Sequence, residues 1–320
     1  MSALPNVESA ALPRQVEVAI VGAGFGGLCL GIKLLEEGIR DFVILEKDVE
    51  VGGTWRDNQY PGAECDVQSH LYSYSFEGKP DWSQRYAGWQ EIQRYILATT
   101  EKYGLRPWIR FGQRVCGARF DVATGRWSVQ VASGAAISAR FFVLATGPLH
   151  VPQVPHIQGL GSFRGKVFHS ARWDHGYDLA GKRVASIGTG GSAIQYCPEI
   201  APQVAQLYVF QRTAAWVTPR DTRRYSDGAK RRFTRFPWWR RLHRARLYWT
   251  NESRVWPVFH ASLSWMFEAY ARAFLRRQVR DADLAERLTP DYRIGCKRVL
   301  VSNVWYPMFN RPNVELVTAP

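Results

Sequence analysis

Short apolar runs, each closed by glycine, set the rhythm of the first two hundred residues. Val16–Val21 is apolar apart from Glu17 and leads directly into Gly22-Ala-Gly24-Phe-Gly-Gly27. Leu28–Glu37 follows with helical spacing, and Asp41–Leu45 is a second apolar run that ends at Glu46. The pattern predicts strand, glycine turn, helix, strand. Arg119–Val131 and Ala139–Ala145 are further expected strands, with Phe141-Phe142-Val143-Leu144 predicted to be buried. Ala145-Thr146-Gly147 closes that run, and Pro148–Pro155, with three prolines, has linker composition. The opening pattern then repeats as Lys182–Ile187, Gly188-Thr-Gly190-Gly-Ser192-Ala193 and Leu207–Phe210.

From Thr218 to about Asp291 the period becomes helical, with Phe259, Leu263, Met266, Phe267, Tyr270 and Phe274 three and four residues apart. That stripe is expected to face a core. Asn313–Val317 returns to an extended pattern. The expected fold is α/β, with two Rossmann-like dinucleotide-binding domains and a helical insertion in the second. The expected boundaries are 1–147 for the first domain, 148–155 for a linker, 156–217 with 293–320 for the second domain, and 218–292 for the insertion.

Each glycine turn suits a phosphate. Gly22, Gly24 and Gly27 permit a tight turn and close approach of a pyrophosphate to amides at a helix N-terminus. Glu46 lies about 20 residues further on, where an acid can bind ribose hydroxyls and would repel a 2′-phosphate. The first site therefore suits FAD or NAD. In the second unit Gly188, Gly190, Ser192 and Ala193 form the turn, but the strand ends in Gln211-Arg212-Thr213. A guanidinium can grip a phosphate through two parallel hydrogen bonds, so this site is expected to prefer NADPH.

Composition narrows the picture further. A chain of 320 residues is long enough for two cores. No apolar run is long enough to span a bilayer, and Met1–Gln15 does not have the form of a secretory signal. The five cysteines show no paired or zinc-ligand spacing, which suits reduced thiols in a cytoplasm. The net charge of +14 is concentrated between Arg220 and Arg254, interleaved with Phe236, Trp238, Trp239, Tyr248 and Trp249. This reads as a solvated helical face whose long side chains cover apolar surface. No nucleic-acid partner is expected, and at most a weak membrane-surface contact through residues 220–254.

Three strings carry more specific chemistry. Phe163-Arg-Gly165-Lys-Val-Phe-His169-Ser-Ala-Arg-Trp173-Asp174 lies between the two glycine turns. Gly52-Gly53-Thr54-Trp55, then Tyr60-Pro-Gly62-Ala-Glu64-Cys65-Asp66, follows the first βαβ unit, and Lys297-Arg298 follows the helical stretch. Together they resemble the Baeyer–Villiger monooxygenases. The resemblance implies that Gly53, Thr54, Trp55, Asp66 and Tyr72 line FAD, that Lys297 contacts NADPH, and that Arg298 is catalytic with Asp66 as its partner. It implies that NADPH reduces FAD, that a C4a-peroxyflavin forms with O2, and that this species attacks a small-molecule ketone to give an ester or lactone.

Arginine suits such a reaction because it stays charged beside a developing anion and cannot donate its proton near neutral pH. In the family signature His169 lies in the connection between domains, and a hydrogen-bonded structural role is expected for it. Trp173 separates this pattern from the flavin monooxygenases that oxidise amines and sulfides, which usually carry Tyr or Phe there. Two positions depart from the family pattern. Glu64 stands where many relatives carry a basic residue and is expected to alter contacts to the nicotinamide cofactor, and Trp305 replaces the usual tyrosine.

The family plan also returns to the first domain with a late strand and another Ala-Thr-Gly turn. None follows Val317, so the first domain is expected to lack that strand, as in a C-terminally truncated relative. The alternatives are a nucleotide-binding relative without turnover, an N- or S-oxygenating enzyme, and a basic membrane-surface protein.

Overall fold

A computed structural model of the chain describes residues 11–148 and 151–318. Most of the N-terminal stretch read for a signal, and Leu149 and His150 of the expected linker, lie outside the described residues. The chain divides into two compact units, Met1–Asn58 with Gln90–Ala171, and Gln59–Trp89 with Arg172–Pro320. The division falls inside the Phe163–Asp174 string, and residues 59–89, expected in the first domain, pack with the second unit.

Among the described residues, the first unit is built on a six-stranded sheet. Its strands are β1 (Gln15–Val21), β2 (Phe42–Leu45), β3 (Ile109–Arg110), β4 (Val115–Asp121), β5 (Arg126–Val131) and β6 (Ala136–Leu144), in the order β3-β2-β1-β6-β5-β4. β1, β2, β3 and β6 run parallel, while β4 and β5 are antiparallel additions. The expected single stretch Arg119–Val131 is thus a hairpin, turned at Gly125 with φ +65°.

The helix α1 (Phe25–Glu36) buries Gly27, Leu28, Gly31 and Ile32, the one-turn spacing of a helix lying on a sheet. Gly31 is needed there, because a Cβ would press within 3.0 Å of Ile44 and 3.1 Å of Leu105. The short α2 (Thr54–Asp57) and the longer α3 (Trp89–Lys102) follow in sequence, and Gln93 of α3 donates to the Val51 carbonyl at 2.8 Å.

The expected burial of Phe141–Leu144 does not hold. Ile137 and Ala139 of β6 are buried, but Phe141 is 52% and Leu144 67% exposed. The apolar run reports that β6 lies between β1 and β5, and burial falls off along its last residues, with Phe142 and Val143 half-buried and Phe141 and Leu144 exposed on opposite faces.

The second unit holds a parallel sheet, β11-β8-β7, from β7 (Arg183–Ile187), β8 (Gln206–Phe210) and β11 (Val314–Val317). A separate parallel ladder joins β9 (Val217–Thr218) to β10 (Leu300–Val301). The helix α4 (Ala193–Ile200) follows the second glycine turn. The helical stretch consists of α5 (Asp227–Arg235), α6 (Pro237–Phe259), α7 (Ala261–Gln278) and α8 (Ala282–Arg287). α9 (Trp305–Met308) follows β10. One core gathers Cys197 and Ile200 of α4, Leu207 and Val209 of β8, Leu275 of α7 and Trp305 of α9. The tryptophan that departs from the family pattern is therefore a core residue, edge-on to Phe309 at 5.0 Å.

The aromatic stripe proposed for the helical stretch is only partly inward. Met266 and Tyr270 are 45% and 56% exposed, and the buried face of α7 runs through Ser264, Ala271 and Leu275, flanked by Phe267 and Phe274. In a helix this rich in apolar residues, spacings of three and four fit two neighbouring stripes. Packing then selects the one that meets β9 and α9.

Candidate functional site

In the first unit the glycine turn is shaped by collisions that side chains would cause. Gly22 has φ +101°, and a Cβ on it would meet the Ala145 carbonyl oxygen at 2.7 Å. A Cβ on Gly27 would collide with the Gly22 carbonyl oxygen. Gly24 differs, because a Cβ there meets nothing within 4 Å. It precedes α1 and leaves room at the start of the helix, where a pyrophosphate would rest.

Glu46 is buried beside this turn. Its Oε2 accepts the Ala23 amide at 2.8 Å, its Oε1 accepts the Asp48 amide at 3.0 Å, and Arg56 lies 3.5 Å away. The carboxylate is fixed in the strand-end position with lone pairs left for ribose hydroxyls. Gly53, at φ +52°, brings its own backbone close to Gly24, and a Cβ would lie 3.5 Å from the Gly24 Cα. Thr54 is exposed and Trp55 half-buried at the start of α2. The open turn and the fixed carboxylate have the chemistry that a pyrophosphate and a ribose require.

In the second unit Gly188 has φ +102°, and neither it nor Gly190 would meet a neighbour through a Cβ. Ser192 precedes α4, and Ala193 is buried against the core, which is the close packing its small side chain allows. Arg212 stands exposed just beyond β8, and the Thr213 carbonyl accepts the Thr189 hydroxyl at 3.1 Å. The turn and an open arginine on one edge fit a dinucleotide carrying an extra phosphate.

Arg298 and Asp66 meet in the same unit, where Arg298 Nη2 donates to Asp66 Oδ2. Arg298 is 59% exposed at its side chain and Asp66 25%. Lys297 lies with Nζ 4.5 Å from the centre of the Tyr292 ring. Tyr72 is half-buried, its amide bonded to the Gln68 carbonyl at 2.9 Å. Between Glu64 and Asp66, Cys65 is buried, and burial pushes its thiol up to about 12, so it is not a nucleophile near neutral pH.

The Phe163–Asp174 string is held by local contacts. The Phe163 ring occupies the space a side chain on Gly165 would need. His169 Nδ1 accepts the Ala171 amide at 3.1 Å. Trp173 packs on Tyr196 at 5.3 Å, and Asp174 accepts the Gly176 amide at 3.0 Å.

Sequence reasoning missed Arg220. It belongs by sequence to the basic run expected to be solvated, yet its side chain is only 10% exposed and pairs with Glu64. Arg244 also turns inward and donates to the carbonyls of His70, Leu71 and Ser73. The signal available in sequence was Glu64 itself, an unexpected acid that needs a cation. Among the described residues, no group of three or more His, Cys, Asp or Glu side chains could hold a metal ion, and no helix is long and apolar enough to cross a membrane. All five cysteines are unpaired.

The family model for flavin-binding monooxygenase-like proteins matches residues 15–260. A Baeyer–Villiger monooxygenase of Streptomyces coelicolor is 47% identical over 96% of this chain and 59% of its own length. One of Pseudomonas aeruginosa is 43% identical over 99% of this chain and 60% of its own. Among solved structures, an oxidized steroid monooxygenase bound to NADP superposes with a TM-score of 0.84 at 35% identity, covering 95% of this chain and 65% of that one. Cyclohexanone monooxygenase from Rhodococcus sp. Phi1 bound to NADP+ gives 0.83 at 28% identity, covering 96% and 65%. The chain spans about 60% of the curated relatives' length. The resemblance read from the three strings stands.

Proposed function

We propose that this chain, which belongs to the flavin-binding monooxygenase-like family, is an FAD- and NADPH-dependent Baeyer–Villiger monooxygenase. It would insert one oxygen atom from O2 beside the carbonyl of a small-molecule ketone. The observation that carries this reading is the Arg298–Asp66 pair, in the same unit as the second glycine turn and Arg212.

The first turn with Glu46 would hold FAD, and the second turn with Arg212, Thr213 and Lys297 would hold NADPH. FAD, when bound, supplies the oxygen-activating chemistry, with electrons drawn from NADPH. Arg298 contributes a charge that persists at working pH and is oriented by a carboxylate before reaction begins. Preorganised charge of this kind stabilises an anion developing on the carbonyl oxygen, and Asp66 keeps the guanidinium from swinging into solvent.

Arg298→Ala should bind NADPH like the unaltered chain and lose ester formation by about 10²- to 10³-fold, the cost of removing one preorganised donor. Ester formed at the unaltered rate would overturn the assignment. NADPH binding with no oxygen consumption by the unaltered, FAD-loaded chain would instead identify a nucleotide-binding relative without turnover.

The five unpaired cysteines favour a reducing cytoplasm as the working compartment. Exposed Trp238, Leu242 and Trp249 on α6, with Arg241 among them, favour a weak contact with anionic membrane. Failure to sediment with anionic vesicles at low salt would reject that contact.

A further inference from the structure

The segment that carries Asp66 carries another carboxylate two residues earlier, and that one is held more firmly. Glu64 is gripped through both backbone and side chain. Gln195 of α4 donates its Nε2 to the Glu64 carbonyl at 2.9 Å, and its Oε1 accepts the Glu64 amide at 3.4 Å. The Tyr60 hydroxyl donates to the same Oε1 at 2.9 Å. Backbone bonds from Cys65 to the Ala87 carbonyl and from Trp89 to the Ala63 carbonyl, each 3.0 Å, pin residues 63–65 against residues 87–89.

The Glu64 side chain accepts from Arg220 Nη1, with Gln84 Nε2 at 3.4 Å from the other oxygen. The Arg220 guanidinium lies 4.6 Å from the centre of the Tyr86 ring. Asn303 fixes its backbone from both sides, accepting the Arg220 amide at 2.9 Å and donating to its carbonyl at 2.6 Å.

Arg220 follows β9 by two residues, and Arg298 precedes β10 by two. β9 and β10 pair in parallel, Val217 beside Leu300 and Thr218 beside Val301, so the two arginines stand at opposite ends of one ladder. Glu64 lies in an isolated bridge to Gly88, and Asp66 follows two residues later at the start of a bend, within about 7 Å along the chain. Each end of the ladder takes one carboxylate. The two attachments are unequal, since Arg220 is 10% exposed and Arg298 59%. The enclosed pair has little freedom and loses most when one partner is removed, because a charge is then left buried.

We propose that Glu64 and Arg220 form a positioning pair, which fixes the 63–66 segment so that Asp66 meets Arg298 and holds it in the orientation its reaction needs. The inference rests on the role given to Arg298 under the proposed function. It also explains the departure at position 64, because a basic residue there would face the Arg220 guanidinium.

The test is the rate at which phenylglyoxal modifies individual arginines of the purified chain, followed by peptide mass spectrometry. Asp66→Asn should speed modification of Arg298 severalfold, and Glu64→Gln should do the same with Asp66 intact. Arg212 should be unchanged in both, which separates a local release from general loosening. Arg220→Lys, which keeps the charge and loses the fork, should act in the same direction if Glu64→Gln does not fold. The reversed pair Glu64→Arg with Arg220→Glu should restore slow modification. With ketone and both cofactors, Glu64→Gln should lower kcat by about tenfold or more and leave the NADPH KM within about twofold, as expected for misplacement without lost binding.

Fast modification in Asp66→Asn but an unchanged Arg298 rate in folded Glu64→Gln and Arg220→Lys would overturn the positioning role and leave the proposed function standing. No change in Asp66→Asn would show that Asp66 does not hold Arg298, and both readings would fall.

Discussion

Arg212 occupies the first position beyond Gln211 at the end of β8, exposed and beside the turn of Gly188 and Gly190. Under the proposed NADPH role its fork meets the 2′-phosphate, a charge-assisted contact that NADH cannot make. Arg212→Ala should therefore raise the KM for NADPH by about tenfold or more while leaving that for NADH nearly unchanged. Equal losses with both nucleotides would place the arginine elsewhere in the site. Single residues differed in how far sequence revealed them. Gly22, Gly27 and Glu46 were legible because backbone geometry and strand-end position dictate their types locally. Arg220 was not, because its burial is set by Tyr86 and by Glu64, which lies 156 residues away. In a run of a dozen basic residues nothing local distinguishes the one that turns inward.

Elements were legible where a short period meets a glycine turn. Both strand–turn–helix–strand units follow from that pattern, and the first turn allows a sharp contrast between neighbouring glycines. In Gly27→Val the new side chain would collide with the Gly22 carbonyl oxygen, pushing α1 away from the turn. Thermal stability should fall, and FAD absorbance should be lost with it. Gly24→Ala adds a methyl group to open space at a φ of −85°, which alanine adopts freely. This variant should melt like the unaltered chain yet bind FAD much more weakly, because the methyl group enters the volume reserved for the pyrophosphate. Equal FAD binding by Gly24→Ala would show that the ligand lies elsewhere. Less legible were α7, where two apolar stripes compete, and the outer half of β6. For residues 59–89, turn composition said only that the loop is ordered. Their packing with the second unit comes from Gln195, Arg220 and Arg298, all distant in sequence.

At the scale of the whole molecule, a surplus of positive charge surrounds a buried histidine that the proposed chemistry does not use. His70 is 3% exposed. It packs against Phe233 at 4.5 Å, Tyr225 at 5.0 Å and His243 at 5.1 Å. Burial above all, then the positive charges of His243, Arg240, Lys79 and Arg244, pushes its imidazole down to about 3. In the unfolded chain the same group titrates near 6.5. Between those values the unfolded state binds the extra proton, so stability is full above about 6.5 and declines as pH falls toward 3. His70→Phe should flatten that decline in urea unfolding measured at stepped pH. An unchanged slope would show that His243, also lowered by burial, or other groups dominate the acid sensitivity.

The proposed function requires oxygen transfer from O2 to a ketone by the FAD-loaded chain. The most direct measurement is mass spectrometry of products formed under heavy-oxygen gas, with NADPH and a panel of cyclic, aromatic and linear ketones. An ester or lactone carrying one heavy atom per molecule is expected, reduced by about 10²- to 10³-fold when Arg298 is replaced by alanine. Ketones recovered unchanged while FAD and NADPH are bound would contradict the proposed function.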